Sequence, residues 1–180
     1  KLNRKPVLEN ASLLAESESC CPILWLALCS TDDVDRIRES DDNSWIVCER
    51  HMALERLSAA IPFVARLNPK SIGFDKFADE FQTFLKSRRR EFLILDFDND
   101  GWANKRRIRV AVHALEHQIL DATFHIPSRT IRNPFTTDGE EVTLIARDFS
   151  STAELLDGFC GYEYDYGEEE RGPFIGYWVT

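Results

Sequence analysis

The chain has 180 residues, a formal net charge of −9, 43% hydrophobic residues and 29% charged ones. That length suits a single domain, 1–180, and the apolar share is that of a folded chain, not a disordered one. The acidity argues against a dedicated nucleic-acid binder, which needs a basic face for phosphates. No apolar run approaches the ~20 residues of a membrane-spanning helix.

Lys1 to Asn10 carries basic residues without a following apolar core, which is not a secretory-signal pattern. Pro22 to Cys29 is short, continuously apolar and followed by turn residues, which predicts a buried strand. Ser30 or Thr31 then caps a short helix, with Asp32, Asp33 and Asp35 favourably placed on its dipole. Ser44 to Glu49 reads as a strand. Met52, Leu54, Leu57, Ile61 and Val64 fall at helical spacing and predict a helix from His51 to Leu67, with a kink or early end at Pro62.

Asn68-Pro69 is a break. Phe74, Phe77, Phe81, Phe84 and Leu85 form an i, i+3, i+4 stripe, and Lys86, Arg88, Arg89 and Arg90 suit a helix C-terminus. Phe92 to Phe97 reads as a strand running into the turn Asp98-Asn99-Asp100-Gly101. Ile108 to Leu120 fits a helix better than a strand. Asn133 to Gly139 is loop and Val142 to Ala146 a strand. Ser150 or Ser151 caps a helix through Leu156, with Glu154 at capping-box distance from Ser151. Phe174 to Val179 is a last strand. Helices and strands interleaved along the whole chain predict an α+β or α/β fold, a single mixed sheet with helices packed against it.

Five cysteines, Cys20, Cys21, Cys29, Cys48 and Cys160, form no C-x-x-C pair, which disfavours a zinc ribbon. Cys29 and Cys48 lie in apolar runs, where a thiol acts as a small hydrophobe. This usage suits a reducing cytoplasm. Cys160 sits between glycines among acidic neighbours, which do not favour a thiolate.

Two short motifs suggest metal chemistry. His113-Ala114-Leu115-Glu116-His117 matches H-x-x-E-H, in which two histidines one helical turn apart bind zinc and the Glu acts on metal-bound water. His125 lies nearby in sequence. On this pattern the chain would be a zinc-dependent hydrolase. The plain alternative is an amphipathic helix with surface histidines, and short motifs match by chance often enough to prefer it. Asp96-Phe97-Asp98-Asn99-Asp100-Gly101 begins like a calcium loop, yet its twelfth position is Arg107 instead of a bidentate Glu. There is no G-x-S-x-G, P-loop or G-x-G-x-x-G, and no cofactor is expected.

Charge is unevenly distributed. Between Asp138 and Glu170 stand eleven acids (Asp138, Glu140, Glu141, Asp148, Glu154, Asp157, Glu163, Asp165, Glu168, Glu169, Glu170) and one base, Arg147. Between Lys86 and Arg109 eight bases face four acids. Within the acidic aromatic segment 158–180, Tyr162, Tyr164 and Tyr166 alternate with Glu163 and Asp165 ahead of Glu168, Glu169 and Glu170. Tyrosines anchor interfaces and carboxylates steer basic partners, so these eight residues are the candidate protein-binding surface. The competing reading is a solvated acidic hairpin.

In size, acidity, lack of catalytic motifs, the Pro22–Leu28 apolar run and the acidic aromatic tail, the chain resembles the small acidic immunity proteins that bacteria make against their own toxins. The resemblance implies a cytoplasmic inhibitor, not an enzyme, that plugs the active site of a cognate toxin. Toxins acting on nucleic acid or nucleotides often have basic clefts, which acidic side chains with tyrosine anchors would complement. It implies no nucleic-acid or membrane partner.

Overall fold

The computed structural model describes residues 12, 14–16, 21–36, 45–67, 73–96, 105–132, 141–144, 146–160 and 177–178. In chain order these form β1 (Ala15–Glu16), α1 (Ile23–Leu26), α2 (Thr31–Asp35), β2 (Trp45–Glu49), α3 (Arg50–Leu67), α4 (Phe74–Ser87), β3 (Phe92–Asp96) and α5 (Lys105–Glu116). There follow β4 (Phe124–Ile126), β5 (Arg129–Arg132), β6 (Glu141–Leu144), β7 (Arg147–Phe149), α6 (Thr152–Cys160) and β8 (Tyr177–Trp178). The class is α+β.

The stretch after Pro22 is a one-turn helix, not the strand its composition suggests. Trp25 N–H donates to Pro22 O at 2.9 Å and Ala27 N–H to Ile23 O at 3.2 Å. Ile23, Leu24, Leu26, Ala27 and Leu28 are all buried. A segment covered on every side shows no polar–apolar contrast, so its sequence does not distinguish strand from helix.

Helix α3 passes Pro62 and ends at Leu67, the bound expected, so of the two outcomes expected at Pro62, a kink or an early end, the early end does not occur. Pro62 lies on the exposed side, where the carbonyl it leaves without a partner can meet water. Helix α4 follows the phenylalanine stripe closely, burying Phe74, Phe77, Ala78, Phe81 and Leu85. It starts at Gly73, whose φ of 77° is left-handed, a conformation glycine adopts at little cost.

Among the described residues the strands form four separate antiparallel pairs, β1–β8, β2–β3, β4–β7 and β5–β6, and not the single mixed sheet expected. In β2–β3, Ile46 faces Leu95 and Cys48 faces Leu93, and all four are buried. The intervening Val47 and Ile94 are only half-buried, so period-2 alternation works at this ladder. Helix α5 is central: it packs against α1, α2, α3 and α6. Its buried Ile108, Ala111, Val112, Ala114 and Leu115 join one core with Leu57 and Phe63 of α3 and Leu155 and Leu156 of α6. Among the described residues no helix is long and apolar enough to cross a membrane.

Candidate functional site

The densest polar cluster lies where α2 meets α3. Ser30 is the N-cap of α2 and forms a capping box: its Oγ accepts from Asp33 N at 3.2 Å, and Asp33 Oδ2 accepts from Ser30 N at 3.1 Å. Asp33 Oδ2 also accepts from Ser30 Oγ at 2.9 Å and from Arg56 Nη1 at 2.7 Å, while Oδ1 is 3.3 Å from Arg36 Nη1. Asp33 is only 6% exposed and Arg56 25%. A buried carboxylate is tolerated when its lone pairs are filled in this way. Arg56 also donates to Leu28 O at 3.3 Å, so one guanidinium ties α3 to the turn between α1 and α2.

The H-x-x-E-H residues lie at the end of α5. The His113 and His117 rings are one turn apart, 4.4 Å between centroids and edge-on. Glu116 is engaged elsewhere: its Oε2 accepts from Thr31 N at 3.1 Å and Thr31 Oγ1 at 2.9 Å, placing a carboxylate on the N-terminus of α2. His125 is not gathered with them. It sits opposite Asp148 in the β4–β7 ladder, with Nδ1 2.6 Å from Asp148 Oδ1. Among the described residues no three His, Cys, Asp or Glu side chains converge as a metal site.

Beside Glu116 a cleft of about 80 Å³ is walled by Ala27, Cys29, Arg56, Leu115 and Gln118. Cys29, one of its walls, has its Sγ 3.8 Å from Cys48 Sγ, and both residues are buried. The hydrogen-bonded Cys48 and burial together hold the Cys29 thiol well above its ordinary pKa, so it is not an activated nucleophile. A second, more open groove of about 370 Å³ is lined by Ser12, Leu14, Ser87, Arg88, Arg89 and Arg90. The Arg88 guanidinium stacks on Phe84, 4.3 Å from the ring centroid.

The sequence missed the Asp33–Arg56 pair and the Cys29–Cys48 contact. The signal for the first was present in Ser30-x-x-Asp33, a capping-box spacing that places Asp33 at the turn. The partner Arg56 lies 23 positions away and nothing local marks it.

The eight candidate binding residues, Tyr162, Glu163, Tyr164, Asp165, Tyr166, Glu168, Glu169 and Glu170, lie outside the described residues. So do 97–101 of the calcium-like stretch; Asp96 ends β3. In sequence the acidic segment connects α6 to β8, which pairs with β1 through Ala15↔Trp178 and Glu16↔Tyr177. The chain matches no protein-family model, no curated protein and no solved structure.

Proposed function

We propose that this chain is a protein-binding inhibitor of the immunity type, acting in the cytoplasm on a cognate toxin with a basic surface. The contact surface would be Tyr162, Glu163, Tyr164, Asp165, Tyr166, Glu168, Glu169 and Glu170. The observation behind the reading is how the acids divide along the chain. Several carboxylates of the described scaffold have internal partners: Asp33 with Arg56, Asp35 with Arg109, Glu116 with Thr31, Asp148 with His125 and Glu154 with Ser150. Those are structural uses. The run from Glu163 to Glu170 concentrates acids and tyrosines around a single flanking base, Arg171. Like charges so crowded raise the chain's self-energy, a cost that binding a cationic surface would relieve.

The test is co-expression with the product of the adjacent gene. That product should be toxic alone, harmless with this chain, and should form a stoichiometric complex with it. Glu168→Lys, Glu169→Lys and Glu170→Lys together should slow association about tenfold or more at low salt and flatten its salt dependence. A non-toxic neighbour, or protection without binding, would overturn the reading. Stoichiometric zinc in the purified protein, lost on His113→Ala, would move the assignment to a zinc hydrolase.

A further inference from the structure

We propose that Cys29 and Cys48 are an oxidation site, closing to an internal disulfide when a small peroxide reaches the cleft beside Cys29. The sulfurs are already in contact at 3.8 Å, and a disulfide requires closure to about 2.05 Å. The two residues differ in freedom. Cys48 is fixed within β2, paired with Leu93 of β3. Cys29 sits in the turn between helices of four and five residues, outside any ladder, and closure needs a shift of ~2 Å there. Access is one-sided as well. Cys48 is 0% exposed, whereas Cys29, itself buried at 3%, is among the residues walling the cleft of about 80 Å³, which exceeds the space one water needs.

The chemistry balances with hydrogen peroxide as the two-electron oxidant. The Cys29 thiol, held above its ordinary pKa, must first lose its proton, which makes this step slow at neutral pH; the thiolate then attacks one peroxide oxygen, the O–O bond breaks, and the released hydroxide takes up the proton, leaving a sulfenic acid and one water. Cys48 sulfur then loses its proton and attacks the Cys29 sulfur; the S–O bond breaks and a second water leaves. Two thiols and one peroxide become one disulfide and two waters. The bond would close the loop from Cys29 to Cys48, which contains α2. That helix is also tied to α3 by Asp33–Arg56 and to α5 by Asp35–Arg109 and Thr31–Glu116. Covalent closure would restrict the unfolded chain and make release of α2 harder.

The experiment uses the full chain, fully reduced, then treated with hydrogen peroxide in small molar excess. Non-reducing peptide mapping should find Cys29 joined to Cys48, and the free-thiol titre should fall by two from the five cysteines present. The melting temperature should rise on the order of 5–10 °C and return with reductant. In Cys48→Ala the cross-link is absent and a dimedone-reactive sulfenic acid persists at Cys29. The map of the wild-type protein is decisive by itself, even where that variant folds poorly. Over-oxidation of Cys29 without a cross-link, or a disulfide through Cys20, Cys21 or Cys160 instead, would overturn the proposal.

Discussion

Replacing Asp33 by Ala removes two buried interactions at once, besides the pair with solvent-exposed Arg36. The first is the acidic half of the α2 capping box, since Asp33 Oδ2 accepts from Ser30 N and Oγ. Losing such a cap costs about 1 kcal/mol. The second is the ion pair with Arg56. Breaking a fully buried pair costs about 3–5 kcal/mol because the remaining charge is stranded. Asp33 is 6% exposed but Arg56 is 25% exposed, so water partly rescues the orphaned guanidinium and about 2 kcal/mol is the fitting figure. The expected total is about 3 kcal/mol, or roughly 6–12 °C in melting temperature for a chain of this size. Urea unfolding followed by circular dichroism measures it. Pairing Asp33→Ala with Arg56→Met in a double-mutant cycle should return a coupling of about 1–2 kcal/mol. A loss below 1 kcal/mol for Asp33→Ala, or strictly additive single variants, would refute the claim that this pair fastens α2 to α3.

Gly73→Ala should destabilise by about 1 kcal/mol, a purely backbone penalty: the added Cβ would sit 3.5 Å from the Phe77 ring, an ordinary contact, while φ stays at 77°. Gly73→Asn should cost less, which equilibrium unfolding would show. Phe63→Ala empties a fully buried site in α3 and should cost about 3–5 kcal/mol in the same assay. The hydrogen bond and charge of Arg109 hold the Asp35 carboxyl below its ordinary pKa, so the pair stabilises the fold above that pKa and fades as pH falls through the lowered one. Arg109→Ala should therefore cost at most about 0.5 kcal/mol at neutral pH, both side chains being nearly half exposed, and nothing in strong acid. Carboxyl titration by NMR should show Asp35 returning toward the ordinary range in that variant.

The elements legible in the sequence are those with a sharp boundary between buried and exposed faces. The stripe Phe74, Phe77, Phe81, Leu85 gave α4 its position because Asp75, Lys76, Asp79 and Thr83 between them are polar and exposed. Ser30-Thr31 announced α2, whose N-cap is Ser30, and Ser150-Ser151 announced α6, where Ser151 Oγ accepts from Glu154 N at 3.2 Å. Sequence reasoning failed where contrast is lost. The Pro22–Cys29 run is covered on all sides, and β4, β5 and β7 are three or four residues long with polar side chains among them. Sheet connectivity was illegible for a related reason: pairing such as Phe124↔Phe149 is fixed by packing between distant segments. The site divides the same way. Spacing correctly put His113 and His117 on one turn, but not the engagement of Glu116 by Thr31, 85 positions away. The Cys29–Cys48 contact spans 19 positions and leaves no motif.

The same chain carries a basic groove and an acidic segment, and the two uses of that segment make opposite predictions. Among the described residues no ion pair involves Arg88, Arg89 or Arg90, and all three line one groove, where a carboxylate would be complementary. If Glu168, Glu169 and Glu170 served mainly to neutralise them, reversing the three glutamates to lysine would add repulsion and lower stability. Reversing Arg88, Arg89 and Arg90 alongside would restore it. If the glutamates serve a partner, reversing them relieves their repulsion with Glu163 and Asp165 and lowers the chain's net negative charge, so stability holds or rises slightly while association suffers. Ionic strength separates the cases again. A surface pair loosens within the chain as the Debye length falls from about 10 Å at 0.1 M to about 3 Å at 1 M salt, lowering wild-type stability. A partner-binding segment instead gains stability from screened repulsion. Melting curves of the wild type and the triple reversal at both salt concentrations distinguish them. A stability loss on reversal that the arginine reversals repair would mean the acids balance the chain's own middle, and the inhibitor reading would lose its main support.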